Sequence, residues 1–480
     1  NGSFTVKSLL YNEKDTYKAI TKITLCEKYA EGEVEIADIS PDRRTLSDLV
    51  KKSVFFACKK LSSMPTPWGI STGIRPAKTA RMMLDENKSD KEILSYMENE
   101  FLVTQKKAQL SLDVAKKEKE LLEKRAQNTV SLYIGIPFCP TRCAYCSFIS
   151  QAMAHNQKFV EPYVEALIKE IEHTAVMAEE LGYSVETIYF GGGTPTTLSP
   201  QNLEKLIKRV KECFDISTLS EFTVEAGRPD TFTDEMLSVL DTNGVNRISI
   251  NPQTMNEETL REIGRRHSVE DTIRAFEMAK KYPSLSINAD IIAGLPGEDT
   301  KAFRKTVKEV CALSPDAVTV HTMYLKRAAR LIGDFEKLRF ASNTAEMVDF
   351  SHDFLKKEGF SPYYLYKQKN TLGNLENTGF SREGHESLYN IYIMEEIQTI
   401  FALGGGASTK MVKGDLIERV FNPKEAGDYI KRIDEIIEKK KESGRDYFDD
   451  KIGEKDGLPV YKSSDYLKDF DAGTPHAFID

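Results

Sequence analysis

The feature that most constrains this chain is the stretch Tyr133-Ile-Gly-Ile-Pro-Phe-Cys139-Pro-Thr-Arg-Cys143-Ala-Tyr-Cys146-Ser-Phe148. Three of the seven cysteines fall within eight residues here, directly after an apolar, β-rich run from Val130 to Ile136. The Cys-x₃-Cys-x₂-Cys spacing is not the Cys-x₂-Cys pair that usually announces structural zinc. Three close thiolates can hold three irons of a [4Fe–4S] cluster and leave the fourth open to another ligand. An open iron is what radical chemistry with S-adenosylmethionine (SAM) needs, because that cofactor chelates the cluster that cleaves it. Zinc completed by a distant ligand such as His155, or a disulfide with one free thiol, are the competing readings. Tyr145 and Phe148 add aromatic bulk that either packs or offers its face to a flat ring.

At 480 residues the chain is long enough for two or three domains, each with its own core. A net charge of −8 with no long basic tract argues against a general nucleic-acid binder. No run of 18 apolar residues occurs, so no membrane span is expected. The N-terminus has no signal-peptide pattern, and Cys26, Cys58, Cys213 and Cys311 read as small core residues of a cytoplasmic protein in a reducing compartment.

Residues 1–125 read as an N-terminal α+β domain: a hairpin within Ile20–Ile39, then helices near Thr45–Leu61 and Asp90–Lys124. Between the helices, Pro65-Thr-Pro-Trp68-Gly-Ile-Ser-Thr-Gly-Ile-Arg75-Pro76 is a shaped loop holding the only Trp, either functional or a packed connector. From Val130 the pattern becomes strand and helix in alternation. Expected strands are Val130–Pro137, Val185–Phe190, Glu221–Glu225, Arg247–Asn251, Ser286–Ile292 and Ala317–Met323. Expected helices are Lys158–Leu181, Gln201–Phe214, Phe232–Leu240, Val269–Lys281 and Lys301–Leu313. Six such units predict an α/β fold, a partial (β/α)₆ TIM-type barrel over 126–340, with an open doubly wound sheet as the alternative. A C-terminal α+β region over 341–445 follows, with a helix Thr344–Lys357, an aromatic strand Tyr363–Lys367 and the run Ile397–Leu403 into Gly404-Gly-Gly. Residues 446–480 read as a charged tail.

In such a barrel, polar residues at successive strand ends converge on one mouth. The second strand runs into Gly191-Gly-Gly-Thr194-Pro-Thr196, where bare backbone admits a ligand and Thr194 offers a hydroxyl. Glu225, Gln253 and Asp290 follow on later strands, and they suit the amino, carboxylate and ribose groups of a nucleoside-type cofactor. Arg265, in Gly-Arg-Arg-His267, is a candidate carboxylate clamp. Lys326, Arg327 and Arg330 follow the sixth strand, where they either bind an acidic substrate or simply face solvent.

Together these motifs, with Asn-Arg-Ile-Ser before Gln253 and Asp-x-Ile-x-Gly-Leu-Pro from Asp290, resemble the oxygen-independent coproporphyrinogen III oxidase family of radical SAM proteins. The resemblance covers roughly residues 66–80 and 130–420. The long N-terminal domain, the Ser71-Thr-Gly-Ile-Arg-Pro loop and Val320-His-Thr-Met-Tyr-Leu-Lys-Arg-Ala-Ala-Arg-Leu point to one branch of it. It implies a [4Fe–4S] cluster on Cys139, Cys143 and Cys146, with Tyr133, Gly192 and Glu225 around a first SAM. Tyr145, Gly193, Thr194, Gln253, Arg265 and Asp290 match residues that surround a second SAM in the founding oxidase. The implied reaction is oxidative decarboxylation of two propionates to vinyls during anaerobic haem synthesis. The implied partners are a tetrapyrrole and a reductant such as flavodoxin or ferredoxin, acting on a monomer. The chain departs from the founding oxidase at Phe148, where a further cysteine is characteristic, and in its N-terminal domain. Relatives that act as haem chaperones, or that methylate or open haem, are the alternatives.

Overall fold

A computed structural model describes residues 4–13, 16–38, 40–62, 66–146, 150–324, 343–368, 371–414, 416–448, 454–455 and 458–459. Phe148, Lys326, Arg327, Arg330 and most of the 446–480 tail lie outside the described residues. The chain divides into two compact units, residues 1–116 with 367–375, and residues 117–366 with 376–480.

In the first unit β1 (Phe4–Glu13), β2 (Thr16–Leu25) and β3 (Lys28–Ala37) form an antiparallel meander, one strand more than the expected hairpin. The helix Arg43–Leu61 lies on it, with Ser53 hydrogen-bonded to Thr21 at 2.7 Å. The expected helix 90–124 is two, Asp90–Glu100 and Gln105–Leu122, and a further helix, Ala77–Asp85, precedes them. Trp68 is buried, and Lys367 sets its ammonium 5.3 Å from that ring while donating to the Ser71 carbonyl at 2.8 Å. The loop is thus packed at Trp68, Ile70 and Pro76 and exposed at Thr72, Gly73 and Ile74.

The second unit is built on one sheet. β4 (Thr129–Ile136) leads into two short strands, β5 (Phe138–Cys139) and β6 (Gln151–Ala152), which pair in parallel and close the base of the cysteine loop. β7 (Ser184–Gly192), β8 (Glu221–Val224), β9 (Arg247–Ser249), β10 (Ser286–Ala293) and β11 (Ala317–Thr322) follow, each parallel to its neighbour. These are the six strands read from sequence. The later strands β12 (Ser361–Lys367), β13 (Glu376–Ser381), β14 (Ile400–Gly404), β15 (Ser408–Lys413) and β16 (Leu416–Phe421) extend the sheet at both edges. The order is β12-β13-β11-β10-β9-β8-β7-β4-β14-β15-β16, an open run and so a partial barrel. β14 runs parallel to β4 and acts as a seventh barrel strand.

Alternation along the strands separates the two faces. One carries Leu132, Ile134, Ile188, Phe190, Phe222, Val224, Ile248, Ile287, Ala289, Val318 and Val320, all buried. The other is polar: Ser131, Tyr133, Thr187, Tyr189, Glu221, Thr223, Arg247, Ser249, Asn288, Asp290 and Thr319. Burying such groups is costly without partners, and here they satisfy one another laterally. Thr187 bonds Ser131 at 2.7 Å, Asn288 bonds Ser249 at 3.4 Å, and Thr319 bonds Asn288 at 3.2 Å. Glu221 accepts from Ser387 Oγ at 3.0 Å and from the backbone N–H of Leu388 at 2.5 Å, so it caps the helix Leu388–Glu395. Among the described residues no helix is long and apolar enough to cross a membrane.

Candidate radical SAM site

The cysteine loop leaves the C-terminal end of β4 and lies against the end of β7. Cys139 is buried, with Thr194 Oγ1 3.5 Å from its sulfur. Burial pushes the Cys139 thiol up, while Thr194 and Arg228 pull the other way. Gly193 and Thr194 donate their backbone N–H groups to the Ile136 and Phe138 carbonyls, both at 2.7 Å. A Cβ on Gly193 would stand 2.4 Å from the Phe138 oxygen, and Gly192 has φ +105°, so only glycines let the two loops come this close. The turn read from sequence as a ligand cradle is therefore first a seat for the cysteine loop.

Cys143 and Cys146 are half-buried and linked by a backbone hydrogen bond of 3.2 Å. Their loop is anchored from the far side by Ala144 N–H to the Ile263 carbonyl at 2.9 Å and by Thr141 Oγ1 to the Gly264 carbonyl at 3.2 Å. Arg228 donates from Nη1 to Thr141 Oγ1 at 3.2 Å and reaches Cys143 Sγ at 3.7 Å. Among the described residues no three His, Cys, Asp or Glu side chains converge where a single metal ion could sit. A cluster asks for something else, one thiolate per iron on separate corners. A half-buried loop carrying three cysteines, none in a disulfide, beside a guanidinium fits that demand.

Around this loop the remaining candidates form three groups. Tyr133, Tyr189 and Tyr389 stack, with Tyr189 and Tyr389 ring centres 4.5 Å apart and Tyr133 6.2 Å from Tyr189. The Tyr189 hydroxyl donates to Glu225, and burial followed by that carboxylate push the hydroxyl well above its usual range. Arg265 donates to the Asn251 carbonyl at 2.6 Å, the Gly227 carbonyl at 3.2 Å and the Tyr145 hydroxyl at 2.9 Å. Its Nη groups are thus already engaged in holding Tyr145, and its buried Nε is without a hydrogen-bond partner. Asp290 lies inside β10 rather than at its tip, bonded to Asn288 at 2.7 Å and 3.7 Å from His321. Burial works to raise the Asp290 carboxyl, but His321, Asn288 and Thr319 outweigh it and hold the group below its ordinary range. Gln253 has φ +66° and bridges to Ile291 of β10, so it stands at the same end of the sheet.

Sequence reasoning missed Arg228, Asp230 and the stacking of Tyr189 and Tyr389 with Tyr133, and it gave His267 no role. Arg228 is 3% exposed and pairs its Nε and Nη2 with Asp230, at 3.0 and 3.0 Å. His267 is buried 3.9 Å from Asp230 with neither ring nitrogen hydrogen-bonded; burial first, then Arg265 and Arg228, depress it to about 3, so it stays neutral. The signal for Arg228 was its place, three residues past Glu225 at a strand end.

Comparison with known proteins agrees with this arrangement. Residues 133–310 match the model of the radical SAM superfamily. The oxygen-independent coproporphyrinogen-III oxidase-like protein HemZ of Bacillus subtilis is 40% identical over 380 residues, 78% of this chain and 76% of that one. The heme chaperone HemW of Lactococcus lactis is 31% identical over 71% of this chain and 86% of its own length. The solved coproporphyrinogen III oxidase HemN of Escherichia coli superposes with a TM-score of 0.52 at 24% identity, over 66% of this chain and 71% of that one, and shows the same fold. The site and fold define a radical SAM protein, and the chain belongs to the oxygen-independent coproporphyrinogen III oxidase family, on its HemZ-like branch. The family implies a [4Fe–4S] cluster and SAM.

Proposed function

We propose that the protein decarboxylates coproporphyrinogen III oxidatively, converting propionates to vinyls without oxygen. The observation that carries this reading is the meeting, at one end of the parallel sheet, of the Cys139–Cys146 loop, the Gly192–Thr194 turn and Glu225. Cys139, Cys143 and Cys146 would hold the cluster; Tyr133, Gly192 and Glu225 would hold SAM, with Tyr145, Gly193, Thr194, Gln253, Arg265 and Asp290 around a second SAM. When bound, SAM would supply the radical chemistry that removes a hydrogen atom from the propionate β-carbon, with the carboxyl leaving as CO₂ and one electron passing to an external one-electron acceptor.

The chain's own share is positional. Tyr133, Tyr189 and Tyr389 stack on one another, the latter two buried, and would shield a bound cofactor from water on that side. Glu225, just past β8, would present its carboxylate to an amino or hydroxyl group, and Asp290 would do so only from inside β10, where it is bonded to Asn288. The reacting carbon must be held within about 3–4 Å of the radical carbon. Lys326, Arg327 and Arg330 are proposed to bind the substrate's propionates, with residues 341–445 covering it, residues 1–125 as a separate domain, and a flavodoxin or ferredoxin as reductant. The likeness to HemW supports a second reading, a haem-binding chaperone that keeps the cluster.

Two measurements on reconstituted protein separate the readings. The oxidase releases CO₂ and 5′-deoxyadenosine in equal amounts from coproporphyrinogen III. Tight haem binding with no CO₂, in a preparation that cleaves SAM, would replace it with the chaperone.

A further inference from the structure

We propose that Arg228 is a tuning residue for the cluster: it donates to the Cys143 sulfur and raises the reduction potential of the centre held by the cysteine loop. The inference rests on the cluster reading above and deepens it.

The geometry is unusually constrained for an arginine. Asp230 accepts from Nε and Nη2 at 3.0 and 3.0 Å, which fixes the plane of the guanidinium. Nη1 is then aimed at the loop, where it meets Thr141 Oγ1 at 3.2 Å, the Thr141 carbonyl at 3.4 Å and Cys143 Sγ at 3.7 Å. Backbone contacts hold the residue as well: its carbonyl accepts from Thr231 Oγ1 at 2.8 Å and from Thr231 N–H at 2.9 Å. The side chain has no room to swing out to water, being 3% exposed.

Charge explains what the contact does. Reduction adds one electron, from an external donor such as dithionite, to a centre already carrying three thiolates. A fixed positive charge and an N–H donor at one sulfur favour that added negative charge, and burial strengthens the effect by lowering the local dielectric. Asp230 opposes it in part, yet Arg265 is buried on the same side, so two guanidiniums stand against one carboxylate around the loop. Lysine would not serve equally, because only the planar fork can grip Asp230 with two donors and still point a third at the loop.

The test is an anaerobic redox titration of the reconstituted full chain, read by the electron paramagnetic resonance of the reduced cluster, with iron content measured on each sample. Arg228→Gln should keep its iron and shift the midpoint negative by a tenfold change in the reduction equilibrium or more, ~59 mV for one electron. Asp230→Asn, which deletes the opposing charge but keeps an acceptor for the guanidinium, should shift it positive. Arg228→Lys should recover part of the loss. A midpoint unchanged in iron-replete Arg228→Gln would overturn the inference. So would negative shifts in both Arg228→Gln and Asp230→Asn, the result expected if the pair only braces the loop. Wild-type protein that takes up no iron would overturn the cluster reading itself.

Discussion

Replacing Lys440 by methionine tests how the C-terminal region is joined to the barrel. Lys440, on the helix Ile433–Phe448, is buried and donates to Glu170 at 2.5 Å and to the Ala402 carbonyl at 2.5 Å. Glu170 is completely buried on the helix Val160–Glu180 and also accepts from Gly404 N–H and Asn422 Nδ2, each at 2.8 Å, and from Tyr429 at 2.5 Å. The pair therefore pins the turn after β14 beside the site-bearing end of β4. Lys440→Met leaves a buried carboxylate without its counter-charge, which costs about 3–5 kcal/mol. For a unit spanning 117–366 and 376–480, an unfolding entropy near ~2.1 cal/mol/K per residue makes that a fall in Tm of about 4–7 °C. The assay is differential scanning calorimetry of Lys440→Met, Glu170→Gln and the double variant. Glu170→Gln removes the orphan charge, so the double variant should recover about 1–3 kcal/mol relative to the sum of the singles. Additive singles, or a loss below about 1 kcal/mol in Lys440→Met, would refute the argument.

Further expectations concern the site. Cys139→Ala, Cys143→Ala and Cys146→Ala should each abolish the broad absorption near ~400 nm of a thiolate-ligated cluster; its survival in all three would end the assignment. Glu225→Ala should weaken SAM binding with iron content intact, measured by titration into reduced protein, whereas Gly192→Val should lower iron content as well, because at φ +105° its Cβ would stand 3.3 Å from Ile136 N and from the Tyr133 hydroxyl. His267 is depressed to about 3 from 6.5, so the native state refuses a proton that the unfolded chain accepts. Stability from this group is complete above 6.5 and is lost as pH falls toward 3, at about 1.4 kcal/mol per unit. His267→Gln should flatten the urea-midpoint profile between pH 6.5 and 5, and an unchanged slope would contradict a buried, neutral His267 as its cause.

Much of this fold is legible because the βα units are local. The six strands from Val130 to Met323 and the five expected helices between them fall within a few residues of their expected places, since each carries its own period and four of those helices start at a capping Ser199, Thr233, Ser268 or Asp299. What needed the structure was distant pairing. Ile400-Phe-Ala-Leu-Gly404 is only a short apolar run until Ile400 is seen opposite Ser131. Glu376–Ser381 is too polar to look like a strand, yet it pairs with β11 in the core. The break between the helices ending at Glu100 and starting at Gln105 leaves no trace either: Leu102 takes φ +56° without a Gly or Pro to announce it. The site divides the same way. The cysteines and glycines were visible as a motif, whereas Arg228 and His267 act through neighbours that only folding brings together.

The proposed oxidase reaction requires this radical SAM site to turn over a porphyrinogen. Its most direct test is anaerobic incubation of reconstituted protein with SAM, dithionite and coproporphyrinogen III, followed by mass spectrometry of the tetrapyrrole. Products in which propionates have become vinyls are expected, and none from the Cys139→Ala control. Unchanged coproporphyrinogen, in a preparation that still cleaves SAM to 5′-deoxyadenosine, would contradict it.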